Sequence, residues 1–308
     1  MQPRRPQGIV LISVLWVLAL LSIIAAGVSA NLRDDAKLAG NLVAAAQARH
    51  AAEGGVQVAL LALLAQSTPA GWQAGDAVHE LGIGEATVRF TVASESGKID
   101  LNRAPEGLLE ALLQSTGVEA GTRRSIVAAI LDWRDADDSP RPDGAEDPHY
   151  LAAGKRYGAK DGAFESVDEL QLVMGMSAQL FRTLRPALTV HSRLAGVNPQ
   201  AASRQVLLAL RDGDAEDVDQ YLEQRERRRQ EGLAPPPFAP ASGGPLARAS
   251  GPAFSLHAQA RLPNGASAHI SALVDLRPRD RKARVRVLDW RHEGPELFQP
   301  PPGDGRWS

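Results

Sequence analysis

Seven carboxylates fall within the sixteen residues from Asp132 to Asp147: Asp132, Asp135, Asp137, Asp138, Asp143, Glu146 and Asp147. Such crowding repels itself unless water solvates it or a hard cation holds it. Calcium takes roughly six to eight oxygen ligands, which carboxylates and loop carbonyls supply. Asp135, Asp137, Ser139 and Glu146 stand at positions 1, 3, 5 and 12 of an EF-hand spacing. Pro140 fills the sixth position, where that loop needs glycine, so the segment is not an EF-hand. Pro140, Pro142 and Gly144 give it a fixed shape rather than that of a disordered acidic run. The composition leaves two readings open, a calcium loop and a solvated loop, and favours the first. Magnesium fits less well, because it keeps several of its waters.

Other chemistries find little support. The seven histidines are scattered, and His149 and His191 read as ordinary surface or loop residues. There is no nucleophile motif and no phosphate-binding loop, so no enzyme activity is expected. The absence of cysteine excludes thiolate metal sites and disulfides. A formal net charge of −2 gives no overall bias toward nucleic acid or a lipid surface.

Helices must hold the loop. Asn102, Pro105 and Glu106 predict a helix start with Asn102 as its cap, and Leu108, Leu109, Leu112 and Leu113 follow at helical spacing. A second helix is expected from about Glu119 to Trp133, leading into the loop. Beyond it, Ser166 and Glu169 form a capping box, and Ala178 to Leu184 reads as a further helix. Leu101-Asn102 with its helix is echoed by Val197-Asn198 and Val206 to Leu210, either a duplication or two ordinary capped helices. Asp212 to Glu231 predicts a helix with acidic residues first and basic ones last, matching the helix dipole. Its Arg225 to Arg229 cluster reads as a solvated helix end.

Strand signals flank this helical region. Val78 to Gly82 and Glu85 to Ala93 predict a hairpin. After a Pro/Gly-rich linker, expected to be extended or mobile, come Phe254 to Arg261, Ala268 to Leu276 and Ala283 to Trp290. Asn264-Gly265 between the first two is a strong hairpin signal. Either strand group alone is small for a stable sheet. The economical assembly is α+β: one antiparallel sheet packed on a long N-terminal helix, with a helical domain inserted between its strands.

That long helix opens the chain. Ile9 to Ala30 are 22 residues without a charge, about 33 Å of helix and enough to cross a bilayer core. The amphipathic pattern continues to Gln66, with a weak point expected at Gly54-Gly55 and a stop at Ser67-Thr68-Pro69. The run is too long for an ordinary signal peptide. The alternatives are a plain anchor and a leader cut after Gly8 that leaves the apolar helix in the mature chain. Arg4 and Arg5 in front, with Asp34 and Asp35 behind, place the N-terminus in the cytoplasm.

Taken together, several features resemble the K-type minor pseudopilin of bacterial type II secretion, the GspK family. They are the Gly8 junction, Asn102 to Pro105, Leu131-Asp132-Trp133-x-Asp135-x-Asp137, Gly144-Ala145-Glu146, Tyr150, Phe164-x-Ser166-x-x-Glu169-Leu170 and Val173-x-Gly175-Met176. The resemblance implies a pilin-like fold and an inserted all-α domain containing helix-hairpin-helix or SAM-like units. It implies cleavage between Gly8 and Ile9, with uncharged Ser13 at the fifth mature position, where most pilin-like proteins carry Glu. It implies a calcium site, carried over to Asp135, Asp137, Asp143 and Glu146, with Asp132, Asp138 and Asp147 as secondary candidates. The implied partners are I- and J-type minor pseudopilins, the major pseudopilin, the prepilin peptidase, the inner-membrane secretion platform and membrane lipid.

The expected boundaries are a leader at 1–8, a membrane span at 9–30 and the first pilin-like part at 31–98. The insert follows at 99–231, the linker at 232–252, the C-terminal strands at 253–294 and a tail at 295–308. The expected role is at the tip of a pseudopilus, initiating a filament for export across the outer membrane. The expected location is the Gram-negative inner membrane, single-pass, with the bulk of the chain periplasmic. A rival reading is a membrane-anchored helix-hairpin-helix protein that binds nucleic acid, with Gly117-Val118 and Gly175-Met176 at the hairpins. The acidic surroundings oppose it, and no nucleic-acid partner is expected.

Overall fold

The structure, a computed structural model, describes residues 7–65, 75–241, 244–247, 251–277 and 285–293. Side chains at 7–10, 26–34, 75–77 and 293 lie outside that description. So do the expected leader before Gln7, the Ser67-Thr68-Pro69 stop and the tail 295–308.

Helix α1 (Gln7–Ala65) is continuous over 59 residues, about 88 Å at 1.5 Å per residue. Its buried stripe is Ala44, Ala48, Ala51, Ala52, Val56 and Ala59, at the three- and four-residue steps of one helical face. Small side chains let the rod lie close to a sheet. The weak point expected at Gly54-Gly55 is not there. A Cβ on Gly55 would stand 2.6 Å from Val88 Cγ1 and 3.4 Å from Ala258 Cβ. The glycine is a contact point, and packing outweighs its propensity penalty of about 1 kcal/mol. N-terminal to Ala44 the helix projects alone: every described side chain at 11–25 and 35–43 is exposed. Among the described residues no helix is long and apolar enough to cross a membrane. Within the first apolar run of α1 the described side chains span 11–25, about 22 Å of helix.

In chain order the strands are β1 (Gly75–Ile83), β2 (Ala86–Ser94), β3 (Ile99–Asp100), β4 (Leu188–Thr189), β5 (Ala253–Arg261), β6 (Ser267–Asp275) and β7 (Arg286–Glu293). Five of them form one antiparallel sheet in the order β1-β2-β5-β6-β7. Alternate residues Val88, Phe90 and Val92 on β2, Leu256 and Ala258 on β5, and Ile270 and Ala272 on β6 bury against α1. The period-2 pattern thus gives one core face. The pairing of β2 with β5, ending at Ser94↔Phe254, makes them immediate neighbours. The whole insert leaves and re-enters at the end of that one pair, as the strand grouping predicts.

The insert carries α2 (Glu106–Ser115), α3 (Ala120–Arg134), α4 (Asp147–Ala152), α5 (Ala178–Leu184), α6 (Arg204–Leu210) and α7 (Ala215–Gln230) around a second core. Several expectations need correction. The insert is not all-α, because β3 and β4 pair in parallel, Ile99↔Leu188 and Asp100↔Thr189. The Ser166–Glu169 capping box exists, but Val167–Leu172 behind it is a 3-10 helix. Asn102 does not cap α2, whose cap is Pro105. Its amide instead clasps the Phe164 backbone, with Nδ2 donating to the carbonyl at 2.9 Å and Oδ1 accepting from the N–H at 2.7 Å. Asn198 likewise yields the cap of α6 to Ser203, which removes the shared cap from the apparent repeat. The expected solvated end of α7 is in part a set of clamps: Arg225 donates to the Pro199 and Ala202 carbonyls at 2.9 and 2.8 Å, and Arg228 to that of Ala234. The linker is docked where it is described, since Val197 N–H donates to the Pro245 carbonyl and Ala247 N–H to that of Val197.

A buried polar seam joins insert and sheet. Glu95, 3% exposed, accepts from Lys98 Nζ and Ser255 Oγ, both at 2.6 Å. Burial raises the Glu95 carboxyl, but the Lys98 ammonium and hydrogen bonds from Lys98, Ser255 and Thr189 outweigh it and hold the group below its ordinary range. Asp100 accepts from Ser192 Oγ and Arg193 N–H, and Arg193 reaches Asp275 on β6 at 2.6 Å. His257 on β5 stands beside this seam. Burial, then the Lys98 charge, pushes its pKa from 6.5 down to about 4, with Glu95 pulling the other way. Between those values the unfolded chain binds the proton and the folded chain does not. Stability is therefore full above pH 6.5 and is lost as pH falls toward 4. His257→Gln is expected to flatten the fall in denaturation midpoint between pH 7 and pH 5. An equal fall in both proteins would show that His257 does not carry it.

Candidate functional site

The carboxylate loop hangs from the end of α3. Glu119 caps that helix, accepting from Gly121 and Thr122 N–H at 2.8 and 3.0 Å. The face from Ile126 to Trp133 is buried, and Asp132 ends it at 0% exposure. Trp133 packs among Tyr150, Tyr157 and Phe164, with ring centroids 5.8, 6.4 and 6.3 Å away. The Tyr150 hydroxyl accepts from Met174 N–H at 3.1 Å. This aromatic cluster fixes the floor under the loop.

Asp132, expected only as a secondary candidate, is the centre of the loop. It accepts from Ala145 N–H at 2.9 Å, from Arg141 N–H at 3.3 Å and from Arg141 Nη1 at 2.7 Å. The same Nη1 bonds Asp135 Oδ2. A buried acid thus folds the loop back over the helix end, and one guanidinium bridges two carboxylates. Both acids raise the Arg141 pKa.

Glu146, 2% exposed, is the N-cap of α4. His149, read as an ordinary residue, closes this cap by accepting from Glu146 N–H at 3.2 Å. The Glu146 carboxyl is pushed up to about 7 by burial and by the charges of Asp132, Asp161, Asp135 and Asp138. Asp161, at φ 52 in the facing turn, is raised by burial and by Asp138, Asp147 and Asp135.

The remaining expected ligands are placed differently. Asp137 is exposed and accepts from Ser139 N–H at 3.0 Å, a local turn. Asp143 is exposed at φ 64. Asp138 and Asp147 are exposed and contribute charge to the cluster. Among the described residues no three carboxylate or histidine groups meet closely enough to hold a metal ion. Yet Asp135 Oδ1 and Glu146 Oε1 are buried oxygens without a hydrogen-bond partner among the described residues. Unpaired buried carboxylate oxygens beside like charges are costly. An all-oxygen set of this kind fits a hard divalent cation of the calcium type.

Two functional residues were missed in the sequence. Arg141 sits between Pro140 and Pro142 inside the acidic run, and a cation flanked by two prolines was the available signal. Asp161, in Lys160-Asp161-Gly162, had only a turn-like neighbourhood to mark it.

Comparison with known proteins falls on this same region. A family model described as type II secretion system (T2SS), protein K matches residues 90–193, from β2 through the loop to just past β4. Type II secretion system protein K of Pseudomonas aeruginosa is 27% identical over 246 residues, 73% of this chain and 74% of that protein. The protein of the same name from Aeromonas hydrophila is 29% identical over 256 residues, 73% and 77% of the two chains. A chain of the GspK-GspI-GspJ complex from enterotoxigenic Escherichia coli matches at TM-score 0.52 and 18% identity, over 86% of this chain and 99% of that one. That identity speaks to the fold. The family match covers the loop and its supports, and the relatives align over most of the length: the chain is similar to the type II secretion system protein K family.

Proposed function

We propose that this chain is a minor pseudopilin, held in the inner membrane by the first half of α1 and working at the tip of the type II secretion pseudopilus. The carrying observation is an insert spliced between two neighbouring strands of a small helix-on-sheet body. Such a mass beside the helix is too bulky for the shaft of a filament and suits its end. The apolar, exposed run Leu11 to Ile24 supports membrane insertion. At the fifth mature position, Ser13 carries no charge, in keeping with a subunit that has no neighbour above it to neutralise. The I- and J-type subunits are the proposed partners, and the bulk of the chain is periplasmic. In cells that express the prepilin peptidase, N-terminal sequencing is expected to read Ile9 first. An intact Met1, or a cut near Ala30, would sink this reading.

The carboxylate loop is proposed to bind calcium, with Asp132, Asp135 and Glu146 as the anchored candidates and Asp137, Asp138, Asp143, Asp147 and Asp161 at the rim. The ion would supply the positive charge that the two unpartnered oxygens lack. Calcium added to EDTA-treated protein at about one hundred times its Kd is expected to raise Tm by roughly 5 °C or more. An unchanged Tm would remove calcium as a structural ligand.

A further inference from the structure

We propose that Arg141 is a resident counter-ion of the carboxylate loop. Its guanidinium holds Asp132 and Asp135 where a divalent cation would bind, so cation and arginine compete for the same two acids. This rests on the calcium reading above, and the experiment separates the two.

The geometry divides the loop into fixed and movable parts. Asp132 is fixed: it is fully buried and held by the Ala145 and Arg141 backbone N–H groups. The Arg141 backbone is fixed too, flanked by Pro140 and Pro142, with its carbonyl accepting from Gly144 N–H at 2.9 Å. The Arg141 side chain is not confined, since 41% of it is exposed. It can swing into water while the loop keeps its path, which neither Asp132 nor Glu146 can do.

Arginine also fills the role incompletely. Its Nη1 serves Asp132 Oδ1 and Asp135 Oδ2, while Asp135 Oδ1 and Glu146 Oε1 stay buried without a partner. A planar fork donates on one side, whereas a spherical ion accepts oxygens from all round. Nearby cations are committed elsewhere. Arg134 donates to the Leu101 and Ala104 carbonyls, and Lys160 to Glu169 at 2.8 Å. The loop therefore stays folded without the ion, at the cost of weaker binding when the ion arrives.

The test is calcium titration calorimetry on the full chain in detergent micelles. Arg141→Gln is expected to bind calcium tighter than the parent by on the order of tenfold, the worth of one charge-assisted hydrogen bond. Arg141→Lys keeps the charge but loses the bridging fork, and is expected to fall between them. A native readout needs no variant: phenylglyoxal labelling of Arg141, followed by mass spectrometry, is expected to rise when calcium is added. Binding by Arg141→Gln where the parent binds none would support the proposal. Parent binding with no gain in Arg141→Gln, or with Arg141 labelling unchanged or reduced by calcium, overturns the counter-ion role and leaves the calcium reading standing. No binding in any of the proteins overturns both.

Discussion

Asp132→Ala is expected to cost about 2–3 kcal/mol of stability, because a buried acceptor of charge-assisted hydrogen bonds is removed and the buried Ala145 N–H is left unpaired. Three donors lose their acceptor together, the Ala145 N–H, the Arg141 N–H shared between both carboxylate oxygens, and Arg141 Nη1. The Ala145 N–H is left buried beside an empty volume, and Arg141 loses its innermost acid. Asp132→Asn keeps the volume and one acceptor, and is expected to recover about half of the loss, because a neutral hydrogen bond is worth roughly half a charge-assisted one. Denaturant unfolding should show a lower midpoint with an unchanged slope, and the signal of Trp133 next door reports on the same region. A loss below about 1 kcal/mol, typical of an exposed ion pair, would mean that Asp132 does not organise the loop.

The second large effect lies at the seam between insert and sheet. Gly97 is buried, and a Cβ there would stand 2.0 Å from the Ala201 carbonyl oxygen and 2.8 Å from Ala202 N. Both obstacles are backbone, so no rotamer change relieves the clash. The adjacent bond, Asn198 N–H to the Ser96 carbonyl at 2.8 Å, would be pushed apart as well. Gly97→Ala is expected to cost about 3 kcal/mol, the upper end for overpacking. Gly107→Ala is the control. It lies in α2 with nothing within 4 Å of its added methyl group, and is expected to stabilise by about 0.5–1 kcal/mol through helix propensity. Opposite shifts in the two variants support the contact. A neutral Gly97→Ala would refute it.

Most elements could be read from local pattern because local physics sets them. The alternation Val88, Phe90, Val92 gives a strand face, the spacing Leu108, Leu109, Leu112 gives a helix face, and both reappear as core. The errors fall where a residue acts at long range. Asn102 looks like a cap because its neighbours are helix starters, but its partner is Phe164, 62 positions away. Gly54-Gly55 looks like a break until the sheet is laid against it. The short parallel pair β3–β4 has two residues per strand and leaves no periodicity to detect. At the candidate site, the count of acids located the loop but could not rank them. Burial does that: it selects Asp132 and Glu146, and leaves Asp137 and Asp143 at the surface.

The placement of the insert also dictates an order of folding. Ser255 and Glu95, bonded at its base, are 160 positions apart. A hairpin joined by a short turn zips up in about 1–10 μs, but β2 and β5 have no turn to start from. Closing so long a chain costs entropy before any ladder bond repays it. The insert must therefore condense first, on its own local contacts, and deliver the two strand ends to each other. Slow or faulty folding of the insert should then appear as delayed assembly of the distant sheet, although no sheet residue has changed.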